Sequence, residues 1–113
     1  LMDSLLGAAG KRDIGSFFPD TDEKYKNADS KLLLKKVSEI LCEKRLSVEY
    51  TDMTVIAQKP KLSPYIEKMR VVISDILHLP IERVNIKATT EEKMGFTGRG
   101  EGISAHAVCL LKE

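Results

Sequence analysis

Val48-Glu49-Tyr50-Thr51-Asp52-Met53-Thr54-Val55-Ile56-Ala57 is the stretch that decides the fold class. It is rich in β-branched residues, which suit a pleated, half-buried surface. Its apolar alternation changes phase between Tyr50 and Met53, the mark of a strand with a bulge or of two short strands. Downstream, Ser63-Pro64 opens a helix, with the serine as N-cap and the proline at the first helical position. Ile66, Met69, Ile73, Ile76 and Leu77 form the inner stripe of that helix, and Pro80 stops it. Val84 to Ala88 is again a short strand. Strand, helix and strand in succession point to helices laid against a sheet.

The flanks extend the same pattern. Upstream, Leu33, Val37, Ile40 and Leu41 share one helical face from Ser30 onward, with Asp29 or Ser30 available as a cap. Downstream, Thr89 to Gly102 is a loop that holds four of the seven glycines. Ile103, Ala105, Ala107, Cys109 and Leu111 then alternate through a final strand. The residues Asp13 to Asp29 are polar, contain Pro19 and have no period, so they read as a loop with a turn of helix. At the start, Leu1, Met2, Leu5, Leu6 and Ala9 keep helical spacing, with no N-cap and no initiator Met ahead of them. The helix reads as cut in its middle, and the sequence as lacking its true N-terminus. The expected fold is α+β: a two-layer α/β sandwich in which helices cover one face of a small sheet.

Length and charge bound what such a chain does. One hundred and thirteen residues, 42% of them hydrophobic, make a single domain with a modest core, residues 1–113. No apolar run approaches the roughly 20 residues of a membrane helix. Residues 1–58 carry nine basic and ten acidic side chains, and residues 59–113 carry nine and seven. That balance excludes the basic footprint of a nucleic-acid binder, so any anion must be held by a local pocket. Cys42 and Cys109 make no disulfide framework and read as buried thiols. With no signal peptide, a reducing, cytosol-like compartment is the default.

Three polar segments fall at element ends, where a sheet scaffold presents ligands. The first runs Asp13-Ile14-Gly15 to Phe18-Pro19-Asp20-Thr21-Asp22. Its carboxylates suit a metal or sugar hydroxyls, although composition alone favours a turn in which Asp side chains cap backbone amides. The second, Ala57-Gln58-Lys59-Pro60-Lys61-Leu62-Ser63, leads from strand to helix start, a place that attracts anions and is also an ordinary connector. The third runs from Lys87-Ala88-Thr89-Thr90-Glu91-Glu92 through Gly102. Its hydroxyls, carboxylates, glycines and Arg99 suit a phosphate with its metal. It is neither a Walker loop nor a dinucleotide fingerprint, because Gly100 is followed by Glu101-Gly102 and the segment runs into a strand. His78 sits at a helix C-terminus, and His106 and Cys109 point to opposite faces of their strand, so a zinc site within this chain is not expected.

Taken together and in this order, these strings resemble the 2-C-methyl-D-erythritol 2,4-cyclodiphosphate synthases of the non-mevalonate isoprenoid pathway. The matching strings are Asp13-Ile14-Gly15, Phe18-Pro19-Asp20-Thr21-Asp22, Ala28-Asp29-Ser30, Ala57-Gln58-Lys59-Pro60-Lys61, Lys87-Ala88-Thr89-Thr90 and the block from Glu92 to Ile103. Each string is weak alone; their joint occurrence is specific. The resemblance implies a lyase that converts 4-diphosphocytidyl-2-C-methyl-D-erythritol 2-phosphate to the cyclic diphosphate with release of CMP. A truncated, non-catalytic relative that binds CMP or an isoprenoid diphosphate is the alternative.

Residue by residue, the resemblance implies that Asp13 and Gly15 hold the ribose. Ile14 and the loop Phe18, Pro19, Asp20, Thr21 and Asp22 would take the methylerythritol part. Ala57, Gln58, Lys59, Pro60, Lys61, Leu62 and Ser63 would wrap the cytosine, largely through backbone groups. Thr89 and Thr90 would contact the diphosphate, with Glu91 beside them and Thr90 as the catalytic, transition-state-stabilising residue. Glu92 matches the ligand of a magnesium or manganese ion between the phosphates, and Phe96 and Arg99 lie where family trimers hold an isoprenoid diphosphate on the threefold axis. The family is a homotrimer with active sites between subunits, so the small sheet is expected to be mixed and trimer-forming, with a strand region missing at its N-terminal side. The family's zinc ligands, an Asp-x-His pair and a His on the first helix, have no counterpart in these residues, so the chain alone is expected to be inactive. The resemblance also implies the bacterial cytoplasm, or the plastid stroma in a eukaryote.

Overall fold

The computed structural model describes all residues from Leu1 to Glu113. In chain order it contains α1 (Met2–Ala8), α2 (Ile14–Phe17), α3 (Ser30–Glu43), β1 (Ser47–Ile56), α4 (Ile66–Leu77), β2 (Val84–Thr89), α5 (Gly95–Gly98) and β3 (Ser104–Lys112). The three strands form one mixed sheet in the order β2-β1-β3. β1 runs parallel to β2 and antiparallel to β3. Helix α4 is the crossover that a parallel β1–β2 pair requires. This is the α+β arrangement read from the sequence, with the helices packed on one face.

Strand β1 does carry a bulge, but upstream of the expected place: the β1–β3 register shifts between Val48 and Tyr50, and the stretch from Tyr50 to Met53 is regular. Val48 faces Leu111 and Thr51 faces Cys109, although three residues of regular strand would put them on opposite faces. One extra residue returns both to the core side. Met53, Val84 and Ile86 then meet Leu34, Val37 and Leu41 of α3, Leu5 and Leu6 of α1, and Leu77 of α4 in one hydrophobic cluster.

Five details depart from the sequence reading. The buried residue of α3 near its start is Leu34, not Leu33, which is half-buried on the flank. Asp29 caps this helix, accepting from the Lys31 amide at 2.9 Å. Ser63 does not cap α4: Ser63, Pro64 and Tyr65 form a 3₁₀ turn, and no side chain bonds to the amides at either helix start. The end of α4 comes at His78, which adopts a left-handed conformation (φ 53°) two residues before Pro80. Cys42 is exposed rather than buried, because it lies one step around the helix from Leu41. The Thr89 to Gly102 loop also contains the short helix α5.

One buried polar atom is left over in the core. Thr51 is fully buried and its Oγ1 has no hydrogen-bond partner. Thr51→Val keeps the β-branched shape and removes the unsatisfied hydroxyl. It is expected to stabilise the fold by about 1–3 kcal/mol, measured as a higher urea midpoint with an unchanged slope.

Candidate diphosphate and nucleotide site

Strand ends place the second and third polar segments side by side. The parallel register sets Ile56 against Thr89, and the Ala57 amide continues the ladder by donating to the Thr89 carbonyl at 3.0 Å. Beyond that point the two chains diverge and a cleft of about 330 Å³ opens between them. The connector 57–63, all but Lys59, forms one wall, and Ala88, Thr89 and Thr90 form the other. The amides of Gln58, Lys59, Lys61 and Leu62 make no backbone hydrogen bond, so they remain free to meet a ligand.

The floor of the third segment is a tight turn. The Glu92 amide donates to the Thr90 hydroxyl at 3.3 Å, and that hydroxyl lies 3.4 Å from Glu92 Oε1. The Thr89 hydroxyl is 3.4 Å from the Thr90 carbonyl oxygen. Glu92 and Lys93 both have positive φ, 52° and 66°. The Lys93 amide donates to Gln58 Oε1 at 3.2 Å, the one side-chain bond that ties the two walls together.

Gly98 packs against that turn. A Cβ at this position would overlap the Lys93 backbone, 2.8 Å from its Cα, so the close approach needs glycine. Arg99 is engaged with Glu101, Nε to Oε1 at 2.9 Å. Phe96 is about half exposed and lines a second cleft of about 400 Å³ with Glu91, Ile56, Ser104 and His106. The sequence reading did not connect His106 and Ser104 with this segment. Strand alternation was the available signal, since it puts both on the sheet face away from the helices with Thr54 and Ile56.

The first polar segment is elsewhere. Asp13 caps α2, accepting from the Ser16 amide at 3.0 Å and its hydroxyl at 3.1 Å. The Ile14 amide donates to the Asp3 carboxylate at 2.8 Å. Gly15 is exposed, and Phe18 stands edge-on to Tyr25 at 5.3 Å. Asp22 caps the next turn by accepting from the Lys24 amide at 3.0 Å. None of Asp13, Ile14, Gly15, Phe18, Pro19, Asp20, Thr21 and Asp22 lines the cleft that Thr89 and Thr90 border within this chain.

A model of the YgbB family matches residues 1–112. The chain is 53% identical to the 2-C-methyl-D-erythritol 2,4-cyclodiphosphate synthase of Francisella tularensis subsp. novicida and 52% identical to that of Clostridium acetobutylicum, each over 111 residues. The chain belongs to this synthase family. Both alignments cover 98% of the chain, and they span 70% and 72% of the two relatives. Among solved structures, the bifunctional IspDF of Campylobacter jejuni superposes with a TM-score of 0.94 at 44% identity. That match covers 98% of this chain and 30% of the Campylobacter chain. A CDP complex of IspF from Plasmodium falciparum gives a TM-score of 0.84 at 32% identity, over 97% of this chain and 65% of that one.

Within this synthase fold the donor sets of the two implied metals differ. Magnesium and manganese take hard oxygen ligands, and magnesium is commonly held by one or two carboxylates together with substrate phosphates. Glu92, exposed and with Oε1 3.4 Å from the Thr90 hydroxyl, fits that chemistry. Zinc needs three or four converging His, Cys or carboxylate ligands. No group of three or more such side chains converges within this single chain. The other polar cluster, on the outer sheet face, is an ion pair: Lys87 Nζ lies 2.6 Å from Asp52, with Asn85 at 2.9 Å. The hydrogen bond from Lys87, and then that from Asn85, hold the Asp52 carboxyl below the usual carboxylate range.

Proposed function

We propose that this single domain carries the nucleotide and diphosphate half of the cyclodiphosphate synthase site, acting in the cytoplasm on a cytidine diphosphate-linked substrate. The observation that supports this reading most is the cleft formed by the 57–63 connector and the Thr89–Thr90 strand end, with Glu92 beside it. In the reaction an oxygen of the 2-phosphate attacks the β-phosphorus. A new P–O bond forms there while the bond from the β-phosphorus to the oxygen bridging it to the α-phosphate breaks, and CMP leaves with that electron pair.

Two anionic phosphates must approach each other, so the chain's task is charge stabilisation and positioning more than proton abstraction. Amides of the connector hold the base, and the Thr89 and Thr90 hydroxyls donate to phosphate oxygens. Glu92 would hold a magnesium or manganese ion, which when bound offsets the phosphate charge.

The residues Asp13 to Asp22 belong, on this reading, to a site shared between neighbouring subunits. A homotrimer has a surface to form on. The sheet face away from the helices displays Tyr50, Val108 and Leu110, the last two more than 60% exposed. Phe96 and Arg99 would then lie near the axis, where an isoprenoid diphosphate has an apolar wall and a cation to meet.

The decisive assay incubates the 113-residue chain with the cytidyl substrate, magnesium and zinc and follows CMP release, with CDP binding measured in parallel. Saturable CDP binding without turnover is expected, because Lewis-acid stabilisation by zinc is worth several kcal/mol and, on this reading, the Asp-x-His pair and helix His that the resemblance implies have no counterpart in residues 1–113. Turnover by this chain alone would refute the zinc part of the assignment, and absence of CDP binding would refute the function.

A further inference from the structure

The carboxylate assigned to the cation stands on backbone that does not hold itself. Glu92 and Lys93 both lie in the left-handed region, at φ 52° and 66°. That conformation brings Cβ close to backbone oxygen and is uncommon for residues other than glycine. Two successive residues stay there only when their surroundings impose it. Three contacts do so: Thr90 Oγ1 accepts from the Glu92 amide, Gly98 fills the space against Lys93, and Gln58 Oε1 accepts from the Lys93 amide at 3.2 Å. The third differs from the others in kind, because Gln58 comes from the opposite wall of the cleft, 35 residues away in sequence.

We propose that Gln58 is the positioning residue for Glu92. Its carboxamide fastens the nucleotide-side connector to the Glu92–Lys93 turn and so fixes where the Glu92 carboxylate meets a divalent cation. The base is held by main-chain groups of the connector on the reading above, which leaves the Gln58 side chain free for this use. A nucleotide seated on the connector thereby also steadies the metal ligand across the cleft. The inference rests on the proposed function for the identity of the ligands, but the Gln58–Lys93 bond is independent of it.

The test compares the unmodified chain with Gln58→Met, which keeps the volume and loses the acceptor, and Gln58→Glu, which restores an acceptor. Amide hydrogen exchange at Lys93 is read by NMR, Mn²⁺ binding in the presence of CDP by electron paramagnetic resonance, and metal-free CDP binding by calorimetry. In Gln58→Met the Lys93 amide is expected to exchange roughly five-fold faster, as loss of one net hydrogen bond dictates. Mn²⁺ affinity falls by a similar factor, and by more than metal-free CDP affinity does, and Gln58→Glu recovers both Lys93 protection and Mn²⁺ binding. Unchanged Lys93 exchange in Gln58→Met overturns the proposal. So does an equal fall in metal-free CDP affinity, which would make Gln58 an ordinary nucleotide contact, or a failure of Gln58→Glu to recover. If the unmodified chain takes up no CDP, the functional reading fails, and Lys93 exchange across the three proteins still decides the positioning role.

Discussion

Replacing Thr90 with alanine in an active synthase built on this chain is expected to lower kcat by roughly 10²–10³ while KM changes little. Thr90 sits where strand β2 has ended and the turn to Glu92 begins. Its hydroxyl oxygen accepts from the Glu92 amide, which leaves its single proton to be given away. In this chain the nearest acceptor is Glu92 Oε1, at a long 3.4 Å. A phosphate oxygen that gains charge as the leaving group departs is a stronger acceptor than either ground-state phosphate, so the bond strengthens towards the transition state. Interactions of that kind appear in kcat rather than KM. Thr90→Ser keeps the hydroxyl and is expected to retain most of the activity. Steady-state kinetics on both variants check this; equal loss in kcat and in substrate affinity for Thr90→Ala would reduce Thr90 to a ground-state contact.

The fold was legible because its deciding signals are local. β-Branched alternation marks β1, and its phase change announces a bulge. The extra residue that keeps Val48 and Thr51 on the same side nevertheless lies between Val48 and Tyr50 rather than between Tyr50 and Met53, because Tyr50 is an apolar residue on the outer face of a regular stretch. Where periodicity gave two answers, the structure chose one. The sequence reading takes Leu33, Val37, Ile40 and Leu41 as the inner face, but Leu34 has equally good helical spacing to Val37 and Leu41, and packing against α1 and the sheet selects Leu34 over Leu33. Ser63-Pro64 carries a helix-start signal, but the 3₁₀ turn ahead of α4 leaves the serine one turn too early to cap it.

The site was legible by segment and not by contact. Polar connectors at strand ends can be picked out from composition, and the register of β1 with β2 brings two of the three together. The bond between Gln58 and Lys93 joins residues 35 apart and depends on two left-handed residues that no propensity favours. Asp13 and Asp22 show the converse. Their carboxylates read equally as ligands and as caps, and within this chain they act as caps.

CMP is expected to bind trimeric material at least roughly 30-fold more tightly than UMP. The connector has no aromatic side chain on which a base could stack, so discrimination falls to its main chain. Pro60 has no amide hydrogen, but the amides of Gln58, Lys59, Lys61 and Leu62 are free of backbone partners. An edge of this kind can donate to the ring nitrogen and ring carbonyl of cytosine while a carbonyl accepts from the exocyclic amino group. Uracil carries a carbonyl in place of that amino group and an N–H in place of the ring acceptor. Two buried pairs would then face like with like, each costing about 1–3 kcal/mol, which at a factor of ten per 1.4 kcal/mol gives the expected ratio. Lys61 is exposed, and its replacement by alanine is expected to weaken both nucleotides moderately and alike, since a phosphate does not distinguish the bases. Sedimentation first establishes the three-chain mass, and calorimetry with each nucleotide follows. Equal affinity for CMP and UMP would exclude backbone readout by this connector and move recognition to the threonines proposed to meet the phosphates.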